Sequence, residues 1–277
     1  MFGLKINKSQ APDKNEYTIH DTTRISHEIR DELWWSENEI IIVSIDPGIK
    51  NFAIRIEKRP AFYEKNAQPS EIKNLFFNKC DISADFTDEK NNNDVYVLLI
   101  DKLDTWIEQY LPLIHLVIIE RQLPVNYKAV RISQCVIDYF VIRLKRSDKY
   151  PLIIELKPNV KSKELGAPKH LNDRGIKEWS VVEALSLLRI RGDQYAINCI
   201  ENAPKSKKDD LADTVTQIEA FFSYMGWPIT NTMTDVDHQI NINKKYLDGY
   251  IDEQSLTAST SQSNQSEKED IIMLIMK

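Results

Sequence analysis

The sequence predicts an α/β protein in which one mixed sheet carries helices on both faces. Three observations lead there. A β-branched run at residues 39–46 (EIIIVSID) is followed by a period-two run at 51–57 (NFAIRIE). Asp46-Pro47-Gly48-Ile49-Lys50-Asn51 supplies the turn between them, which is a hairpin pattern. Two short, almost wholly apolar runs, 116–120 (LVIIE) and 152–156 (LIIEL), read as strands buried on both faces. Segments with helical spacing separate and follow these strands.

Taken in order, the hairpin is followed by a third strand at 74–80 (NLFFNKC). Residues 95–110 place Leu98, Leu99, Leu103, Trp106 and Ile107 on one side of a helix. The strand at 116–120 leads into a long helix over 126–146, and the strand at 152–156 comes next. Helices are expected at about 175–189 and 193–200, and a last one from Asp209 to about Met225, stopped by Gly226 and Pro228. The order β-β-β-α-β-α-β-α-α-α implies a mixed five-stranded sheet with helices on both faces, the order an RNase H-like fold requires.

That domain is expected to span residues 39–228. Residues 1–38 lack sustained periodicity, apart from a possible short helix at 25–35. Residues 229–277 are rich in Asn, Ser, Thr and Gln and are expected to form a disordered tail, with IIMLIMK at its end as a docking peptide.

The longest apolar runs are far shorter than the ~20 residues of a membrane helix, so no membrane partner is expected. The N-terminus shows neither a secretory core nor a presequence pattern. Cys80, Cys135 and Cys199 are odd in number and widely spaced, as reduced thiols of an intracellular protein would be. The net charge of −6 argues against a nucleic-acid partner only until its distribution is read. Both flanks are acidic, whereas Arg121 to Lys208 holds 18 basic against 9 acidic residues, enough to follow a phosphate backbone.

The chemistry is expected from acids. Asp46 ends the first strand, and Glu120 ends the run LVIIE, where a buried carboxylate is costly unless paired or bound to a cation. Asp210 and Asp213, three apart in KSKKDDLADT, share a helix face. Asp209 reads as a helix cap, but Asp213 lies a turn too deep for that. Three separated segments thus each deliver acid at a strand end or helix start, and such oxygen-rich clusters suit Mg²⁺. Two ions about 4 Å apart can activate water and stabilise a leaving 3′ oxygen.

The blocks Ile45-Asp46-Pro-Gly-Ile-Lys50-Asn51-Phe-Ala, Ile118-Ile-Glu120-Arg121-Gln122 and Lys207-Lys208-Asp-Asp210-Leu-Ala-Asp213 resemble the signatures of RuvC-type Holliday-junction resolvases. The subgroup of poxviruses and other large DNA viruses is the nearest, and the likeness covers about residues 39–227. It implies a homodimeric endonuclease making paired nicks at four-way DNA junctions, leaving 5′-phosphate and 3′-hydroxyl ends. It also implies Asp46, Glu120, Asp210 and Asp213 as ligands of two Mg²⁺ ions, with Mn²⁺ substituting. A viral member would work at a cytoplasmic replication site; nucleus and mitochondrion stay open. Residues 1–38 and the tail have no counterpart in compact members.

The family also uses a basic residue near the active site, and Lys161 is the choice here, with Lys163 and Lys157 behind it. Contacts to DNA are expected from Lys50, Asn51, Arg121, Gln122, Lys128, Arg131, Lys157, Lys163, Lys177, Lys207 and Lys208. The helix at 126–146 has more apolar positions than one core stripe needs, which suggests a two-fold dimer interface. Three other readings compete: an RNase H-like nuclease for other branched DNA or RNA–DNA hybrids, a junction binder without catalysis, and an actin-like ATPase. The last needs a duplicated core and a second phosphate loop, which this sequence lacks.

Overall fold

The structure is a computed structural model that describes residues 17–19, 39–60, 68–85, 94–144, 151–204 and 207–224. All of these belong to one compact unit, residues 1–231. The polar tail and the short helix expected at 25–35 lie outside the described residues.

Six strands form one sheet: β1 (Tyr17–Ile19), β2 (Ile40–Asp46), β3 (Phe52–Arg59), β4 (Lys73–Cys80), β5 (Ile114–Glu120) and β6 (Leu152–Leu156), in the order β1-β6-β5-β2-β3-β4. β2, β3 and β4 pair antiparallel, and β2, β5 and β6 pair parallel. The five strands read from the sequence make up the mixed RNase H-like sheet. β1 is an addition, antiparallel to β6 along its outer edge.

The helices are α1 (Asp94–Ile107), α2 (Tyr127–Leu144), α3 (Pro158–Glu164), α4 (Asp173–Arg191), α5 (Gln194–Asn202) and α6 (Lys208–Tyr224). Their ends follow local chemistry. Pro158 at the first position starts α3, and the Asn172 side chain accepts from the Gly175 amide (2.9 Å) to cap α4. Gly192 closes α4 at φ 71°, a conformation that favours glycine. α3 lies where the sequence reading places no helix, so three helices rather than two separate β6 from α6.

Side chains of a strand alternate between faces, and this alternation positions the acids. Ile41, Val43 and Ile45 of β2, with Phe52, Ile54 and Ile56 of β3, pack against Leu99 and Leu103 of α1 and Ile132, Val136 and Phe140 of α2. On the other face Ile40, Ile42, Leu116, Ile118, Ile154 and Leu156 pack against Val160 of α3 and Ile218, Phe221 and Phe222 of α6. Asp46 continues the series Ile40, Ile42, Ser44, and Glu120 continues Leu116, Ile118. Because β2 and β5 run parallel, with Ile45 beside Ile119, both acids emerge at the same end and on the α6 side.

The alternation in NFAIRIE suggests a strand with one solvated face, but Arg55, Glu57 and Arg59 are 0–1% exposed under α4 and α6. They are buried as ions. Glu57 accepts from Nε of Arg55 and of Arg59, both at 2.6 Å. Arg59 and Arg191 also donate to Glu219, and Arg55 donates to Asp193 at 3.0 Å. Glu57 is thereby held well below the ordinary carboxyl range: burial alone would raise it, but Arg59, Arg55 and Arg191 outweigh burial. Arg55 and Arg59 further stack over Phe77 and Phe222, at 5.3 and 4.4 Å from the ring centres.

Candidate active site

The ends of β2 and β5 and the first turns of α6 meet at one rim of the sheet. Oxygen atoms of Asp46, Glu120 and Asp213 all lie within 4.8 Å of one another, close enough to share a cation. α6 is set against the strands by Gln217. Its Nε2 donates to the carbonyls of Ile118 (3.0 Å) and Ile45 (3.4 Å) and to Ser44 Oγ (3.2 Å). Gln217 is one helical turn beyond Asp213 and shares its face, so the bonds that dock the helix also aim Asp213 at the strand ends.

Lys161, 6% exposed on α3, reaches across the same rim. Its Nζ donates to Glu120 Oε1 at 2.6 Å and lies 2.9 Å from Asp213 Oδ2. Ser180 of α4 donates to the other Asp213 oxygen at 2.6 Å, and Gln122 approaches Glu120 Oε2 at 3.4 Å. These contacts decide which acids ionise. Asp46 is pushed well above its ordinary value by burial, then by the neighbouring charges of Glu120 and Asp213, against a smaller pull from Lys161. Burial would raise Glu120 too, but Lys161 and the hydrogen bonds from Lys161, Asp46 and Gln122 bring it below. Asp213 is raised by burial and by Glu120, with Lys161 and Ser180 opposing. Lys161 is held protonated by Asp213, Glu120 and Asp46 despite its burial.

Asp210 stands apart from the three. It pairs with Lys79 of β4, whose ammonium also reaches the carbonyl of Lys207 at 3.1 Å. Its carboxyl is raised by burial, with Lys79 pulling the other way. Asp209 pairs with Lys177 at 2.7 Å.

The residues expected to contact DNA differ in exposure. Lys50, Arg121, Lys128, Arg131, Lys163, Lys177 and Lys207 are exposed; Asn51, Gln122, Lys157 and Lys208 are half-buried. Lys208 donates to the Glu201 carbonyl at 2.7 Å, and Arg131 lies 5.2 Å from the Tyr96 ring centre. Lys50 and Lys207 line a cavity of about 360 Å³ together with Lys79, Asp81 and Tyr195. Sequence reasoning missed Gln217, Ser180 and Lys79. Only Gln217 had a signal, its spacing of four from Asp213.

The donor set is all oxygen and holds more acid than base: four carboxylates against two ammonium groups within direct reach of them. That imbalance fits hard divalent cations, for which Asp46, Glu120 and Asp213 would be the shared ligands.

Fold and rim together define an RNase H-like α/β domain with an acid cluster where its central parallel strands end. No family model matches the chain, and no curated protein matches it. Among solved structures it is similar to RuvC of Thermus thermophilus, with 14% identity over 68% of this chain and 98% of that one, at a TM-score of 0.45. It is also similar to the yeast mitochondrial Holliday junction resolvase Ydc2, with 15% identity over 79% and 91%, at a TM-score of 0.45. A third is the fowlpox virus resolvase solved with Holliday junction DNA, with 19% identity over 68% and 97%, at a TM-score of 0.42.

Proposed function

We propose that this chain is a metal-dependent endonuclease that resolves four-way DNA junctions. The observation that carries the reading is the convergence of Asp46, Glu120 and Asp213 within 4.8 Å at the sheet rim, from three segments distant in the chain. Divalent ions bound there, Mg²⁺ with Mn²⁺ as substitute, would supply an activated water and stabilise the leaving 3′ oxygen. The residues do the rest. Asp46, Glu120 and Asp213 bind, with Asp210 joining for a second ion. Lys161 stays charged and places an ammonium at the rim, where negative charge grows as a phosphodiester is cut. Ser180 and Gln217 hold Asp213 in position.

The substrate assignment rests on the three sequence blocks that resemble junction resolvases. The basic residues 121–208 would follow the backbone, with Lys50, Asn51, Arg121, Gln122, Lys128, Arg131, Lys157, Lys163, Lys177, Lys207 and Lys208 as contacts. Two paired nicks need two sites, and α2 leaves Tyr127, Val130, Val141 and Ile142 exposed among Arg131, Gln134 and Asp138, a mixed face of the kind a second copy would cover. By the same reading we assign the work to the cell interior: a cytoplasmic replication site for a viral member, the nucleus or mitochondrion otherwise.

The test is to incubate purified protein with a synthetic four-way junction, with and without Mg²⁺, and to map the nicks. Symmetrically paired nicks that need Mg²⁺ are expected, with linear duplex left intact. Equal cleavage of duplex, flaps and junction would move the assignment to a general branched-DNA nuclease. Sedimentation showing only monomer at micromolar concentration would remove the dimer.

A further inference from the structure

We infer that Lys79 is an internal counterion for Asp210, and that it keeps this acid from the shared carboxylate group until a second divalent ion displaces it. The inference rests on the metal-nuclease reading and deepens it. The three acids with oxygens in mutual reach do not include Asp210, although Asp210 and Asp213 are three apart on α6 and share a face. What separates them is a partner from another part of the fold. Lys79 comes from β4, 131 residues away in sequence, and its ammonium binds both the Asp210 carboxylate and the Lys207 carbonyl just ahead of α6.

This is not a loose surface pair. The Lys79 and Asp210 side chains are 11% and 16% exposed, so their attraction is screened less than that of solvent-exposed charges. The two ammonium groups of the rim therefore engage different acids. Lys161 spans Glu120 and Asp213 within the close group, whereas Lys79 holds Asp210 alone. An ion that recruits Asp210 has to compete with Lys79 for it. No proton need move: the ammonium would turn within the adjoining 360 Å³ cavity, which Lys79 lines with Lys50, Asp81 and Lys207, and the Asp210 carboxylate would be free to bind the ion.

The consequence is graded binding, a first ion on Asp46, Glu120 and Asp213 and a weaker second one that recruits Asp210. Mn²⁺ titration of the full chain without DNA, followed by electron paramagnetic resonance of free and bound ion, reads both affinities. Lys79→Met is expected to tighten the second ion at least about tenfold and leave the first within about twofold. Lys79→Arg keeps the charge and the weak second site. Lys50→Met, which lines the same cavity without touching Asp210, controls for general charge and should shift the second ion far less than Lys79→Met. Asp210→Asn should abolish the second ion alone, a result that does not depend on how Lys79→Met folds. Unchanged or weaker second-ion binding in folded Lys79→Met, or a second ion retained by Asp210→Asn, overturns the inference. If Asp46→Asn binds as much Mn²⁺ as the natural chain, the metal reading itself fails, a separable outcome.

Discussion

On the sheet face covered by α4 and α6, the network around Glu57 sets three guanidinium groups against three carboxylates. The rim at the ends of β2 and β5 sets four carboxylates against two ammonium groups. The first cluster is closed, balanced in charge and multiply hydrogen-bonded, with Glu57 held ionised by its arginines. The second is left short of positive charge, and the deficit falls on Asp46, whose carboxyl is driven up by burial and by its acidic neighbours. Buried charge close to balance is satisfied within the fold, whereas an excess of buried carboxylate favours a bound cation.

The contrast can be broken by neutralising one acid at a time. Asp46→Asn should lower junction cleavage by roughly 10³-fold or more while leaving metal-free junction binding in place. Because it relieves repulsion, it should leave the melting temperature unchanged or raise it. Glu57→Gln should do the opposite to the fold, costing about 3–5 kcal/mol in urea unfolding, because three guanidiniums lose the charge they share. Equal destabilisation by the two substitutions would erase the distinction between the clusters.

Acid sharpens the same comparison. Glu57 has a folded-state pKa below its ordinary 4.5, so the unfolded chain takes up this proton first as pH falls. Its contribution is complete above that value and drains away below it. Urea unfolding at about pH 6 and about pH 3 should show a loss that is clearly smaller in Glu57→Gln. Gln217→Leu should cost about 1–3 kcal/mol, since Nε2 is bonded to two buried carbonyls, and should reduce cleavage along with stability. Ser180→Ala should have the smallest effect, about 1 kcal/mol at most in stability, read by thermal melting.

How much of this was legible beforehand divides along the range of the interactions. The five central strands follow from β-branched runs and turn residues, which are local signals, and so do the places where Asp46 and Glu120 leave the sheet. Their meeting required only that β2 and β5 be parallel neighbours. α3 has a local signal too, since Pro158 fits the first turn of a helix. β1 had none: three residues in a polar stretch acquire strand geometry only by pairing with β6. The arginines of β3 read as a solvated face because alternation shows which side a residue is on, not what covers that side. Asp210 and Asp213 share a helix face as their spacing says, yet Lys79 draws one of them aside, and no pattern near residue 210 announces a lysine on β4.

Gln217 grips the carbonyls of Ile45 and Ile118, the residues just ahead of Asp46 and two ahead of Glu120. The main-chain positions that carry those two acids are set by the parallel pairing of β2 with β5, a dimension of roughly 4.8 Å between strands that holds for any sequence. Loops around the rim are free to drift in length and composition without altering it. Evolution, or a protein engineer, can reshape what approaches this rim while its ruler stays the same.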